Sequence, residues 1–100
     1  MRRIERIQRM EQNMDLAAAA VEALEKALED YAQAQGAIFE LEDYMDGGKW
    51  LKDYDADEAG LLPPDMKRGV LSEDGLYNLL TDNSRLLRLM GRLCARAEDR

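Results

Sequence analysis

Between Ile4 and Met45 the chain reads IERIQRMEQNMDLAAAAVEALEKALEDYAQAQGAIFELEDYM, with no proline and one glycine, Gly36. Taken in sevens, one set of positions holds Ile7, Met14, Val21, Leu28, Gln35 and Glu42, and the interleaved set holds Met10, Ala17, Leu24, Tyr31, Ile38 and Met45. The sets alternate by three and four residues, the a/d seam of a coiled coil. The seam is apolar from Ile7 to Tyr31 and weakens at Gln35 and Glu42. Ile4, Leu16, Ala18, Ala20 and Phe39 lie off it and widen the apolar surface, and the run Ala17 to Ala20 admits a neighbouring helix at close range. The pattern predicts one long helix over Arg3–Met45, roughly 60 Å at about 1.5 Å per residue. Gly36 is its weak point, costing about 1 kcal/mol relative to alanine. A continuous helix is expected there, with a break as the alternative.

Working outward, Asp46, Gly47 and Gly48 end this helix, glycine being suited to the left-handed position past a C-terminus. Lys49–Ala59 reads as a short helix with Trp50, Leu51 and Tyr54 on one side and Gly60 closing it. Leu61, Leu62, Pro63 and Pro64 form an extended connector, and Pro64–Arg68 is expected to make one helical turn, stopped by Gly69. Ser72, followed by Glu73 and Asp74, has the chemistry of an N-cap with an acidic first turn. A last helix follows to about Ala97, with the seam Leu76, Leu80, Asn83, Leu87, Met90, Cys94 and Ala97. Leu79, Leu86 and Leu93 broaden that face, and Arg85, Arg88, Arg92 and Arg96 lie mostly elsewhere. Asn83, polar within an apolar seam, is a device for fixing register. The expected fold is all-α and a single domain. A long N-terminal helix (residues 1–46) packs antiparallel to a C-terminal helix (72–98) as a coiled-coil-like helical hairpin, with a short helical insert and connector (47–71) at its tip.

The first helix is longer than the last, so one cannot cover the whole of the other. Antiparallel pairing from the loop end leaves Ile4, Ile7, Met10 and Met14 overhanging, and apolar stripes of that length are rarely left in water. A second copy related by two-fold symmetry is the simplest cover, so a homo-oligomer, first of all a dimer, is expected.

Composition narrows the function classes. The 100 residues are 46% hydrophobic and 35% charged, with six aromatics in all, which suits one folded helical domain. A net charge of −7 speaks against a protein built to grip phosphate backbones. Arginines do gather at the two ends (Arg2, Arg3, Arg6, Arg9; Arg85 to Arg100), while eight carboxylates lie between Glu40 and Glu58. Those ends leave a nucleic-acid accessory role as a remote alternative. The lone cysteine, Cys94, sits on an apolar seam and is expected to be a buried structural thiol in a reducing compartment. The opening MRRIERIQRMEQ lacks the apolar run of a secretory signal, and no stretch approaches the ~20 apolar residues of a membrane span. A cytoplasmic protein with no membrane contact is expected.

The absence of histidine removes the commonest general base and metal ligand. Asp53, Asp55 and Asp57 imitate the opening of a calcium loop, but Glu58 stands where glycine is needed and Pro64 where glutamate is needed. Glu22, Glu25, Glu40 and Asp43 form E-x-x-E and E-x-x-D pairs resembling those of all-α nucleotide pyrophosphohydrolases, where carboxylates on facing helices hold Mg²⁺ against a triphosphate. That alternative needs the chain to turn between the pairs, which lie roughly 27 Å apart on a continuous helix. The expectation is therefore no enzyme, no metal and no cofactor. The function expected is a protein–protein interaction, adaptor or structural module acting through helical seams.

The segment GGKWLKDYDADEAGLLPPDMKRGVLSEDGLYNLL, Gly47 to Leu80, together with the preceding long helix, resembles a family of small bacterial proteins classed as domain of unknown function 4298. The likeness is most specific at Trp50-Leu51-Lys52-Asp53-Tyr54, at Lys67-Arg68-Gly69-Val70-Leu71-Ser72-Glu73-Asp74, and at Leu76-Tyr77-Asn78-Leu79-Leu80. It implies a bacterial, cytoplasmic helical protein and brings no catalytic residues. Physically, Trp50, Tyr54, Leu61, Leu62, Val70 and Leu71 are expected to fold down as a cap over the loop end of the helices. The alternative makes this cap a binding surface, carried by Trp50, Tyr54, Lys67 and Arg68, because connectors on a rigid frame often bear function.

Overall fold

The structure, a computed structural model, describes residues 2–100. Helix α1 spans Arg2–Asp46, α2 spans Lys49–Glu58 and α3 spans Gly75–Glu98, with a 3₁₀ turn at Gly69–Leu71 before α3. Among the described residues there is no strand. The fold is all-α as expected, a long N-terminal helix and a C-terminal helix joined through a short helical insert. The chain divides into two compact units, the first ending at Gly36 and the second covering Ala37–Arg100.

The first unit is helix alone. Alanine, leucine, glutamate, glutamine and arginine dominate it, residues that lose little side-chain freedom on a helix. Glu5 lies in the first turn, where the partial positive charge of the N-terminus favours a carboxylate. Lys26 pairs with Asp30 one turn on, at 3.3 Å. Both side chains are well exposed, so the pair adds only a few tenths of a kcal/mol. Every residue from Arg2 to Asp30 is exposed. Helix α1 passes through Gly36 without a break and ends at Asp46, as expected.

The second unit holds the core. Gly47 donates its N–H to the Asp43 carbonyl at 2.8 Å, and Gly48 takes the left-handed φ of +85°, which turns the chain from α1 into α2. Helix α2 closes with paired bonds from Gly60 N–H to the Asp57 carbonyl and from Leu61 N–H to the Ala56 carbonyl. Gly60, at φ +73°, is the left-handed residue this cap requires. Among the described residues, the buried side chains are Leu71, from the 3₁₀ turn, and Leu76, from the first turn of α3. Ile38, Leu41 and Met45 of α1 and Leu80, Asn83 and Met90 of α3 are half-buried. In this unit the last turns of α1 and the first turns of α3 form the base of a hairpin, lining one groove through Met45, Leu80 and Ser84 with Glu42 and Arg88 at its polar edge.

Three local expectations are corrected. Pro64–Arg68 is not a helical turn; Met66 N–H reaches the Pro63 carbonyl at 3.2 Å in a single tight turn, and the 3₁₀ turn forms at Gly69–Leu71 instead. Arg68, at φ −143° and ψ 34°, is out of helical conformation. Ser72 does cap, its Oγ accepting the Gly75 N–H at 3.2 Å, but it is itself extended, and α3 begins at Gly75 with Asp74 as its N-terminal flank. Cys94 is exposed, because every residue from Gly91 onward is exposed and the seam of α3 is open beyond Met90.

Candidate functional site

Two features stand out: the cap between α2 and α3, and the open stripe of the first unit.

The cap is held by three directed contacts. The Trp50 indole N–H donates to the Val70 carbonyl at 2.8 Å, tying α2 to the 3₁₀ turn. The Arg68 guanidinium donates to Asp57 Oδ1 at 2.6 Å and to the Pro64 carbonyl at 3.3 Å. Both charged side chains are no more than a third exposed, so this ion pair is better shielded than the surface pairs on α1 and α3. The Tyr44 hydroxyl of α1 donates to Asp53 Oδ2 at 2.7 Å. Burial, then this hydrogen bond and the nearby Asp53 charge, push the Tyr44 phenol up to about 12. Trp50 and Tyr54, one turn apart on α2, stack with ring centroids 5.1 Å apart. The negative charge of Glu58, with smaller contributions from burial, Glu73, Asp55 and Asp57, raises the Tyr54 phenol as well.

Of the four residues named as a binding surface, Trp50 and Arg68 therefore hold the cap together, Tyr54 stacks on Trp50, and Lys67 is exposed. Leu71 is buried and Leu62 half-buried as a cap requires, whereas Leu61 and Val70 are exposed. Sequence reasoning missed Tyr44, Asp53 and Asp57 as anchors. Asp53 and Asp57 stand one turn apart on α2, and that i, i+4 spacing was the available signal; their partners lie 9 and 11 residues away in the chain.

The carboxylate pairs Glu22, Glu25 and Glu40, Asp43 all lie on α1, whose helical run through Gly36 supplies no turn between them. Among the described residues, no group of three or more acidic or cysteine side chains is placed to hold a metal ion. The stripe residues Ile4, Ile7, Met10 and Met14 are all exposed, by 46% or more, as are Leu16, Val21, Leu24 and Leu28 beyond them. No helix among the described residues is long and apolar enough to cross a membrane.

These features define an all-α protein with a tied cap in its second unit and an exposed apolar stripe on the helix of its first. The chain belongs to the family described as domain of unknown function 4298 (DUF4298), whose model matches residues 7–93. The matched span includes the cap anchors and most of the open stripe. No curated protein and no solved structure matches the chain.

Proposed function

We propose that this protein is a bacterial, cytoplasmic, non-enzymatic assembly module that self-associates through the seam of its N-terminal helix. One observation carries the proposal: the apolar repeat from Ile7 to Leu28 lies in a stretch, Arg2 to Asp30, in which every residue is exposed. Burying a leucine-sized side chain is worth about 1.5–3 kcal/mol, so a row of them is a strong drive to association. An isolated helix gains little stability from propensity alone and usually needs packing on one face.

The tied cap gives this module a fixed end. Because Trp50 and Arg68 are occupied in holding it, an adaptor role of the cap falls to exposed Lys67 and to the Trp50–Tyr54 stack. The carboxylates of α1 serve in this proposal as solvated surface, and the arginines as charge that orients association.

The test is absolute mass by light scattering coupled to size exclusion over a wide concentration range. A dimer is expected, with Met14→Lys shifting it to monomer while the melting of the second unit is unchanged. A monomer at high micromolar concentration overturns the proposal. Magnesium-dependent release of pyrophosphate from nucleoside triphosphates would overturn its non-enzymatic part.

A further inference from the structure

The open stripe also carries a charge pattern that distinguishes one way of pairing from the others. At its start, Arg2, Arg3, Arg6 and Arg9 against Glu5 leave a net charge of +3. At its far end, Glu22, Glu25, Glu29 and Asp30 against Lys26 leave −3. Between them lie Ala17 to Ala20, the smallest side chains of the stripe.

We infer that the cover of this stripe is a second copy of the same helix, laid antiparallel about a two-fold axis between Asp15 and Leu16. The inference rests on the self-association proposed above and adds its direction and register. In this arrangement Ile7 faces Leu24 of the partner subunit, Met10 faces Val21 of the partner subunit, and Met14 faces Ala17 of the partner subunit. An a position thus meets a d position in every layer, and two-fold symmetry repeats each layer once. All of Ile7, Met10, Met14, Val21 and Leu24 are 46–66% exposed, so each has surface left to bury.

The same axis sets Arg2, Arg6 and Arg9 at the heights of Glu29, Glu25 and Glu22 of the partner subunit. Each end of the pair then joins +3 to −3. Parallel pairing would instead join +3 to +3 and −3 to −3, which opposes association at close range. Moving the antiparallel register outward by one heptad would place Ile7 on Tyr31, which is already half-buried. It would also set Arg2, Arg3 and Arg6 opposite Gly36, Gln35 and Ala32, where there is no carboxylate. Only Arg9 keeps a carboxylate at its height there, Glu29 of the partner subunit, against three arginines in the shorter register; charge therefore selects the shorter register, and the alanines near its axis allow the backbones to approach.

The experiment uses full-length chains in a Cys94→Ser background, one carrying Ile7→Cys and the other Leu24→Cys. Each is oxidised alone and then as a mixture, since a disulfide forms only where the two β-carbons come within about 4.5 Å. A disulfide-linked dimer in the mixture and none in either chain alone is expected. Linkage of either chain with itself means parallel pairing and overturns the inference, leaving self-association intact. A dimeric mass with no linkage in any sample also overturns it, because the stripe is then not the interface. A monomeric wild-type mass removes the underlying proposal as well. Charge reversal gives a second readout that needs no thiol. Arg2→Glu, Arg6→Glu and Arg9→Glu together should weaken the dimer, and adding Glu22→Arg, Glu25→Arg and Glu29→Arg should restore it. Failure of the second set to restore association overturns the inference.

Discussion

From Arg2 to Asp30 the chain repeats an apolar position every three or four residues and buries none of them; from Leu71 to Leu76 it has no repeat and buries two leucines. The contrast separates two things that periodicity tends to merge. A seam states which face of a helix needs cover. It does not state which element supplies the cover. In the second unit that decision is made by directed bonds, Trp50 to Val70, Arg68 to Asp57 and Tyr44 to Asp53, which fix the 3₁₀ turn so that Leu71 and Leu76 sit inside. Among the described residues of the first unit, the directed side-chain contacts before Tyr31 stay within the helix, and a second chain is the cover proposed above.

The most forceful way to break this comparison is to remove a leucine from each unit. Leu76 is 4% exposed, and Leu76→Ala should cost about 2–5 kcal/mol of unfolding free energy through lost burial and the cavity left behind. Leu16, 73% exposed and off the seam, should change stability by no more than about 0.5 kcal/mol as Leu16→Ala. Denaturant titration of both variants checks the pair. Equal costs would mean that the two units are not distinguished by burial, and the argument for an open stripe would fail with them.

A smaller effect, confined to the second unit, follows from Tyr44. Its phenol is pushed from the ordinary 10 up to about 12, chiefly by burial and then by Asp53. The folded state therefore holds the proton more tightly than the unfolded chain. The stabilisation is fully present below pH 10 and is lost as pH rises from about 10 to about 12. Unfolding midpoints measured across that window should fall in the wild type and fall less in Tyr44→Phe. The same slope in both proteins would show that Tyr44 is not the titrating group.

How much of this was legible in the sequence follows from the range of each interaction. The three-and-four spacing from Ile7 to Tyr31 and the glycines after Asp46 are local signals, and α1 ends where they say. The start of α3 was misplaced by three residues because Ser72 has the chemistry of a cap but binds Gly75 from an extended backbone. A β-carbon on Gly75 would run into Ser72 Oγ, so the glycine there is part of the same cap. The turn wrongly expected at Pro64–Arg68 depended on Arg68, whose partner Asp57 lies 11 residues back. Such anchors follow no period, and Asp57 read alone is one carboxylate on an acidic helix. The open stripe of the candidate site was visible as a pattern. The exposure of Ile4 to Met14 followed from the unequal helix lengths, whereas that of Val21, Leu24 and Leu28 did not, because the seam pattern is the same whether or not it is covered.

The smallest expected effect falls at Gly36, where the two units meet along α1. Nothing lies within 4 Å of the position an added β-carbon would take, and the residue is already helical. Gly36→Ala should therefore stabilise the protein by about 0.5–1 kcal/mol, through the lower backbone entropy of the unfolded chain. That corresponds to a rise in Tm of a few degrees, roughly 2–8 °C for a domain of this size. If the chain pairs as proposed, its dimer mass should not change, because the antiparallel register centred near Asp15 leaves Gly36 outside the paired stretch. A fall in Tm would mean that another backbone packs against Gly36 in the assembled protein. It would favour the longer register, in which Gly36 faces Arg2 of the partner subunit, over the shorter one that the charges select.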